Sequence, residues 1–230
     1  MAVAVQSRRG TTAQHSSFTG LAGEMTVDTD ENRAVVHDGS TAGGIPAAKE
    51  NEILAQGKHT IWLPAPFWTA AATNGAASAT IDDTVLTSNL HNIPVFDFAT
   101  DADDYIHGQL ALPKSYNLGT VTFQVWWTTV GAVTTGIAFG LQAVAISDNV
   151  AIDTAFGTAV LVTDNAQSTA YELLVTAESG AVTIGNTPAD DDAVLLRGFR
   201  DVSDANDDMT QDMRFIGMKL FITLDASTDT

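Results

Sequence analysis

Thr120-Val121-Thr122-Phe123-Gln124-Val125-Trp126-Trp127-Thr128 alternates polar and apolar side chains from Thr120 to Val125 and then places two tryptophans side by side. A strand has a side-chain period of two, so Val121, Phe123, Val125 and Trp127 share one face and Trp126 points the other way. Working outward, similar runs occur at 60–63, 95–98, 105–112, 157–162, 171–175, 193–201 and 213–224. The run 137–146 is apolar on both sides and belongs at the centre of a layered fold. In 213–224, strict alternation groups Arg214, Ile216, Met218, Leu220 and Ile222 against Phe215, Gly217, Lys219, Phe221 and Thr223. Turn signals punctuate these runs: Pro64 and Pro66, Asn74-Gly75, Pro113, and the acidic loops around Asp101–Asp104 and Asp204–Asp208. About eight to ten strands with hardly any helix predict an all-β chain, a small N-terminal β-module followed by a jelly-roll-like β-sandwich.

Composition narrows the function classes. Apolar residues make up 45% and charged residues 17% of the 230, which is globular. Ten Lys and Arg against 28 Asp and Glu give a formal net charge of −18, which repels nucleic-acid backbones and anionic membrane surfaces. Four of the ten basic residues, Arg8, Arg9, Arg33 and Lys49, precede residue 50, so the acidity sits mainly on the larger part. With no cysteine, burial must replace disulfides, and burial between copies is one way to supply it. Residues 1–10 lack the apolar core of a signal peptide, and no apolar window of membrane-spanning length occurs, so no membrane insertion is expected.

The front of the chain reads as a hairpin. Met25 and Val27 alternate with polar neighbours, Asp28 to Asn32 supply a turn, 34–37 return, and Asp38-Gly39 turns again. The expected division is a β-module over 1–46, a linker over 47–58 and a sandwich over 59–230. The stretch 47–57 is the one place for a short helix or an extended tether, with Ile53 and Leu54 available for a three-chain contact.

Arg8-Arg9-Gly10-Thr11, then Gly23-Glu24-Met25-Thr26-Val27-Asp28-Thr29, then Val36-His37-Asp38-Gly39 running on to Gly43-Gly44, form an ordered set of motifs. In this it resembles the N-terminal module of bacteriophage tail fibres and tropism determinants. The resemblance implies an intertwined β-domain at the virion-proximal end of a trimeric fibre, with Arg8, Arg9, Phe18, His37 and Asp38 as attachment or trimerisation residues. The rest, from Ile61 to Asp225, more distantly resembles a β-domain of phage and prophage proteins. Because the sequence stops at Thr230, a compact unit is expected behind the module and not a long shaft.

Sites of chemistry are sparse. Asp201, Asp204, Asn206, Asp207 and Asp208 could suit a hard cation, but the glycine and distal glutamate of a calcium loop are missing, and a solvated acidic loop is the plainer reading. Asp101, Asp103 and Asp104, and likewise Asp190, Asp191 and Asp192, read the same way. The five histidines are scattered and no H-E-x-x-H, G-x-S-x-G or phosphate-loop pattern occurs. No cofactor, metal or catalytic residue is therefore expected. Trp62, Trp68 and Trp126 are the candidates for subunit or ligand contact, with an intersubunit role favoured for Trp126.

The function these features imply is a non-enzymatic phage virion protein made in the host bacterial cytoplasm: a homotrimeric short tail fibre or receptor-binding protein. Its partners would be its own copies, other virion proteins of tail or capsid, and a glycan or protein receptor on the host surface. A head fibre or capsid-decorating protein is the alternative within that class. A polysaccharide-cleaving tailspike, which would need a carboxylate pair in a groove, and a cellular lectin-like module are the alternatives outside it.

Overall fold

The structure, a computed structural model, describes residues 7–49, 57–82, 84–226 and 229. It divides into two compact units, one before and one from Gly57. Most of the expected tether, including Ile53 and Leu54, lies outside the described residues.

The front unit is a four-stranded sheet in the order β1 (Arg9–Gly10), β2 (Met25–Asp28), β3 (Arg33–Val36), β4 (Ile45–Pro46). β1 runs parallel to β2, and the other pairs are antiparallel. The expected hairpin is β2–β3, turned at Asn32, whose φ of 50° is the left-handed conformation that Asn tolerates. A one-turn helix, α1 (Thr12–His15), follows β1 and is held by a capping box: the Thr11 hydroxyl accepts from Gln14 N at 3.2 Å, and Gln14 Oε1 accepts from Thr11 N at 2.9 Å. The buried face of the sheet is mostly polar. Thr26, Asp28 and His37 are buried with Val35, while Met25, Val36 and Ile45 are exposed.

The second unit is a sandwich. One sheet runs β13 (Leu174–Val175), β10 (Thr122–Thr128), β16 (Met213–Leu224), β8 (Ile93–Phe98), β7 (Ala77–Ile81), and β5 (Gly57–Pro64) also pairs with β16. The other runs β12 (Val160–Asn165), β11 (Gly136–Ile146), β15 (Ala193–Arg200), β9 (Tyr105–Ala111), β6 (Thr69–Ala70), with β14 (Ile184–Gly185) beside β11. The all-β, module-plus-sandwich class expected from the sequence is the one observed.

Phe123, Val125 and Trp127 of the first sheet and Phe139, Leu141 and Leu196 of the second are buried in one core. The rings of Phe139 and Phe215 stack across the two sheets, 5.5 Å apart and 10° from parallel. Side chains of this size contribute roughly 1.5–3 kcal/mol each on burial, which is how the sheets hold together without disulfides. β11 is buried along almost its whole length, as its two-sided apolar run requires.

The face assignment of β16 needs correction. Trp126 pairs with Gly217 but Trp127 pairs with Phe215, so Ile216 is an extra residue in a β-bulge. Met213 and Phe215 point inward before the bulge, and Met218, Leu220 and Ile222 point inward after it. Ile216 is thereby turned to the outer face. Strand limits also shift: 157–162 becomes Val160–Asn165, and 171–175 shrinks to Leu174–Val175.

Candidate functional site

In the front unit several expected attachment residues come together. The Arg8 guanidinium lies 4.8 Å from the Phe18 ring centroid and 2.9 Å from a Glu24 carboxylate oxygen. Phe18 in turn meets the His37 ring edge-on at 5.1 Å. Arg8, Arg9, Gln14 and Phe18 line a surface cavity of about 270 Å³. Asp38 is spent on its own turn: its carboxylate accepts from Ser40 N, Thr41 N and the Thr41 hydroxyl, which hold it well below the usual carboxylate range.

His37 is buried and works inside the unit. Its Nδ1 lies 3.2 Å from Gly20 N and its Nε2 lies 3.0 Å from the Thr26 hydroxyl, which is also 2.8 Å from His15 Nε2. His15 Nδ1 reaches the Thr11 carbonyl at 3.1 Å. What the unit does offer outward is apolar. Met25 pairs with Val36 and Val36 with Ile45, so the three form one row across β2, β3 and β4. They are 58%, 41% and 56% exposed. The sequence did signal this row through its alternation, but alternation alone does not say which face is inside.

In the sandwich, Trp62 and Trp126 meet edge-to-face at 5.4 Å on the outer side of the first sheet. Lys219 Nζ sits 4.5 Å over the Trp126 ring. These residues, the bulged Ile216, and Ile81, Ile93 and Leu173 line a groove of about 410 Å³. Trp62 is 44% exposed and Leu173 more so. Trp68 does not join them. It turns into the core, packs edge-on to Phe215 at 5.9 Å and donates Nε1–H to the Leu63 carbonyl at 3.3 Å, so the expectation of a surface contact there is withdrawn.

The acidic loop after β15 is not simply solvated. Arg200 is fully buried, and its guanidinium donates to both Asp207 carboxylate oxygens and to the carbonyls of Phe98, Ala99, Met209 and Gln211. Asp207 also accepts from Ala138 N at 3.0 Å, and Asp208 from Gly136 N at 2.7 Å. These two carboxylates tie the loop to β11. Asp201 and Asp204 cap turns within the loop.

Residues 5–41 match the family described as the Major tropism determinant N-terminal domain, the kind of module that the Arg-Arg-Gly-Thr and Val-His-Asp-Gly motifs resemble. Over 51 residues the chain is 65% identical to the tail fiber receptor-binding protein of Bordetella phage BPP-1, covering 22% of this chain and 13% of that protein. The P3c variant of the Major Tropism Determinant is a structural neighbour with 32% identity over 54% of this chain and 29% of its own, at a TM-score of 0.21. A family 11 carbohydrate-binding module from Clostridium thermocellum, solved with a mixed-linked tetrasaccharide, covers 72% of this chain and 96% of its own, with 13% identity and a TM-score of 0.38. At TM-scores this low neither structure lends a residue to this one.

Proposed function

We propose that this chain is a receptor-binding component of a bacteriophage tail fibre, joined to the particle and to its own copies through the front unit and binding the host surface through the sandwich. The observation that supports it most is the 65% identity over 51 residues with a phage tail fibre receptor-binding protein. The chain spans 13% of that relative's length, so the role is inferred from the module and from the physics of the two units.

The front unit has the chemistry of an assembly handle. A sheet whose interior is largely hydrogen-bonded and whose exterior carries Met25, Val36 and Ile45 leaves most of its apolar surface to be buried by whatever covers that row. A further copy of this chain covers it in the homotrimer we infer, which also replaces the disulfides the sequence lacks. The Trp62–Trp126 groove, apolar along most of its lining, suits the same kind of contact between copies. Three copies on a fibre multiply weak receptor contacts into avidity. The protein binds and does not catalyse in this reading, and it is made in the host cytoplasm before entering the virion.

Immunogold labelling of particles and mass measurement of the purified full chain test it together. Label on the tail and a trimer that Met25→Lys with Ile45→Lys dissociates are the expected results. Label on the capsid alone, or a monomeric native chain, overturns it.

A further inference from the structure

We propose that the outer face of the second sandwich sheet is a carbohydrate-binding cleft whose arginine selects a sugar bearing a carboxylate. Strand register carries the first step. Thr69 of β6 pairs with His107 of β9, His107 with Arg197 of β15, and Arg197 with Gln142 of β11. Four polar side chains thus stand in one row across four strands, spanning about 14 Å at the usual interstrand spacing. Their neighbours Ile106 and Leu196 point into the core, so the row faces outward.

The arginine in this row is fixed in place. Its Nε and Nη2 both donate to Gln142 Oε1, and Gln142 Nε2 donates to the Gly157 carbonyl at 3.0 Å, which orients the amide. The guanidinium lies 4.6 Å from the Phe156 ring centroid and 5.3 Å from that of Tyr105. Phe156 also stands 6.1 Å from the His107 ring. None of the ion pairs among the described residues includes Arg197. In a chain with 28 acidic and ten basic residues, a positioned guanidinium that meets no carboxylate of its own is available to one from outside.

The surroundings specify what carries that carboxylate. A cavity of about 420 Å³ lies over the Thr69–His107 end of the row, lined by Thr69, His107, Gln109, Phe67, Ile152 and Phe156. The arginine stands at its edge, against the Phe156 ring that forms part of the lining. Aromatic faces suit the C–H side of a pyranose ring. Hydroxyl, imidazole and amide groups both donate and accept, which is what sugar hydroxyls require. Gln142 takes the Nε–Nη2 edge of the guanidinium, and the remaining Nη1–Nη2 edge matches a carboxylate geometrically and discriminates against a neutral sugar.

This deepens the receptor-binding reading and rests on it for its meaning on the particle. The test is calorimetric titration of the full chain with uronic-acid oligosaccharides and with the same oligosaccharides after carboxyl reduction. The carboxylated form should bind at least about tenfold more tightly, the worth of one charge-assisted pair. Arg197→Gln should erase that preference, Phe156→Ala should weaken both forms, and Val130→Ala, at an exposed residue outside the cavity lining, should change neither. Thermal melts of each variant report whether the sandwich is intact, and Phe156→Ala carries the test if Arg197→Gln does not fold. Equal affinity for the two forms, or no binding of either, overturns the proposal. Adsorption assays keep the two readings apart: sugar that binds the cleft without blocking adsorption refutes the receptor role alone. Adsorption that depends on this protein but ignores both Arg197→Gln and added sugar refutes the cleft alone.

Discussion

His15 and His37 address a single hydroxyl, that of Thr26, with their rings 6.3 Å apart and 13° from parallel. The ends of this chain of hydrogen bonds fix its direction. Gly20 N–H can only donate to His37 Nδ1, so His37 donates from Nε2 to Thr26. The Thr11 carbonyl can only accept from His15 Nδ1, so His15 Nε2 accepts from Thr26. One neutral tautomer of each ring satisfies every group.

Thr26→Val removes the shared hydroxyl and strands two buried ring nitrogens. A cost of about 2–3 kcal/mol to the front unit follows. Hydrogen exchange of the full chain should show faster exchange over 7–49 with the sandwich unchanged, and Thr26→Ser should restore protection. Unchanged exchange in Thr26→Val would mean that the chain contributes nothing.

Arg200→Met is expected to be the most damaging single change of charge in the sandwich. It leaves the Asp207 carboxylate buried without its cation and withdraws the donor from four carbonyls. Breaking a buried pair from one side costs about 3–5 kcal/mol. Urea unfolding should show the lower midpoint, and Arg200→Met with Asp207→Leu should recover part of it, since the stranded charge is then gone.

Asp164 and Asp38 carry opposite pH signatures. Burial raises the Asp164 carboxyl above its ordinary value, more than the Trp127 N–H at 2.9 Å lowers it. The folded state then takes up the proton at higher pH than the unfolded chain, so this site destabilises at neutral pH and the penalty fades as pH falls through the folded pKa. Asp38 is held low, by the Thr41 backbone N–H first and then by the Thr41 hydroxyl. Its contribution is present above the unfolded value of about 3.9 and is lost as pH falls toward the folded one. Asp164→Asn, which keeps an acceptor for Trp127, should equal or exceed the native stability at pH 7 and flatten the profile above about pH 4. Asp38→Asn should flatten it below that. Urea midpoints across this range check both slopes, and a reversed slope in either variant refutes that assignment.

What the sequence made legible was periodicity, and what it hid was register. Val121, Phe123, Val125 and Trp127 declared a strand and its buried face because an unbulged strand keeps its period. Alternation groups Ile216 with Met218, Leu220 and Ile222, but one inserted residue parts them onto opposite faces without altering composition. Met25 and Val36 show the hairpin, but apolarity alone reads as inward, and here the interior holds Thr26 and two histidines beside Val35. The Thr11–Gln14 capping box was present in the sequence, yet α1 is too short to show a helical period. Thr69, His107, Gln142 and Arg197 lie on four separate strands, and only pairing reveals that they form a row.

Gly217 is where register and the tryptophan groove meet. It faces outward opposite Trp126, and the Trp62 ring lies where its side chain would be: a Cβ there would come within 2.6 Å of that ring. Ring-over-glycine packing of this kind covers exposed backbone and fixes the aromatic's position. Gly217→Ala must therefore displace Trp62, because the backbone beneath is held by β5 on one side and β10 on the other. The expected cost is about 1–3 kcal/mol, in the range for overpacking a tight site. The near-ultraviolet circular dichroism signal of the Trp62–Trp126 pair should fall while the buried Trp127 and Trp68 keep theirs. If Trp62 seats a neighbouring copy, the same substitution should also raise the protein concentration needed to assemble; an unchanged dichroism spectrum would show instead that the ring yields without leaving its partner.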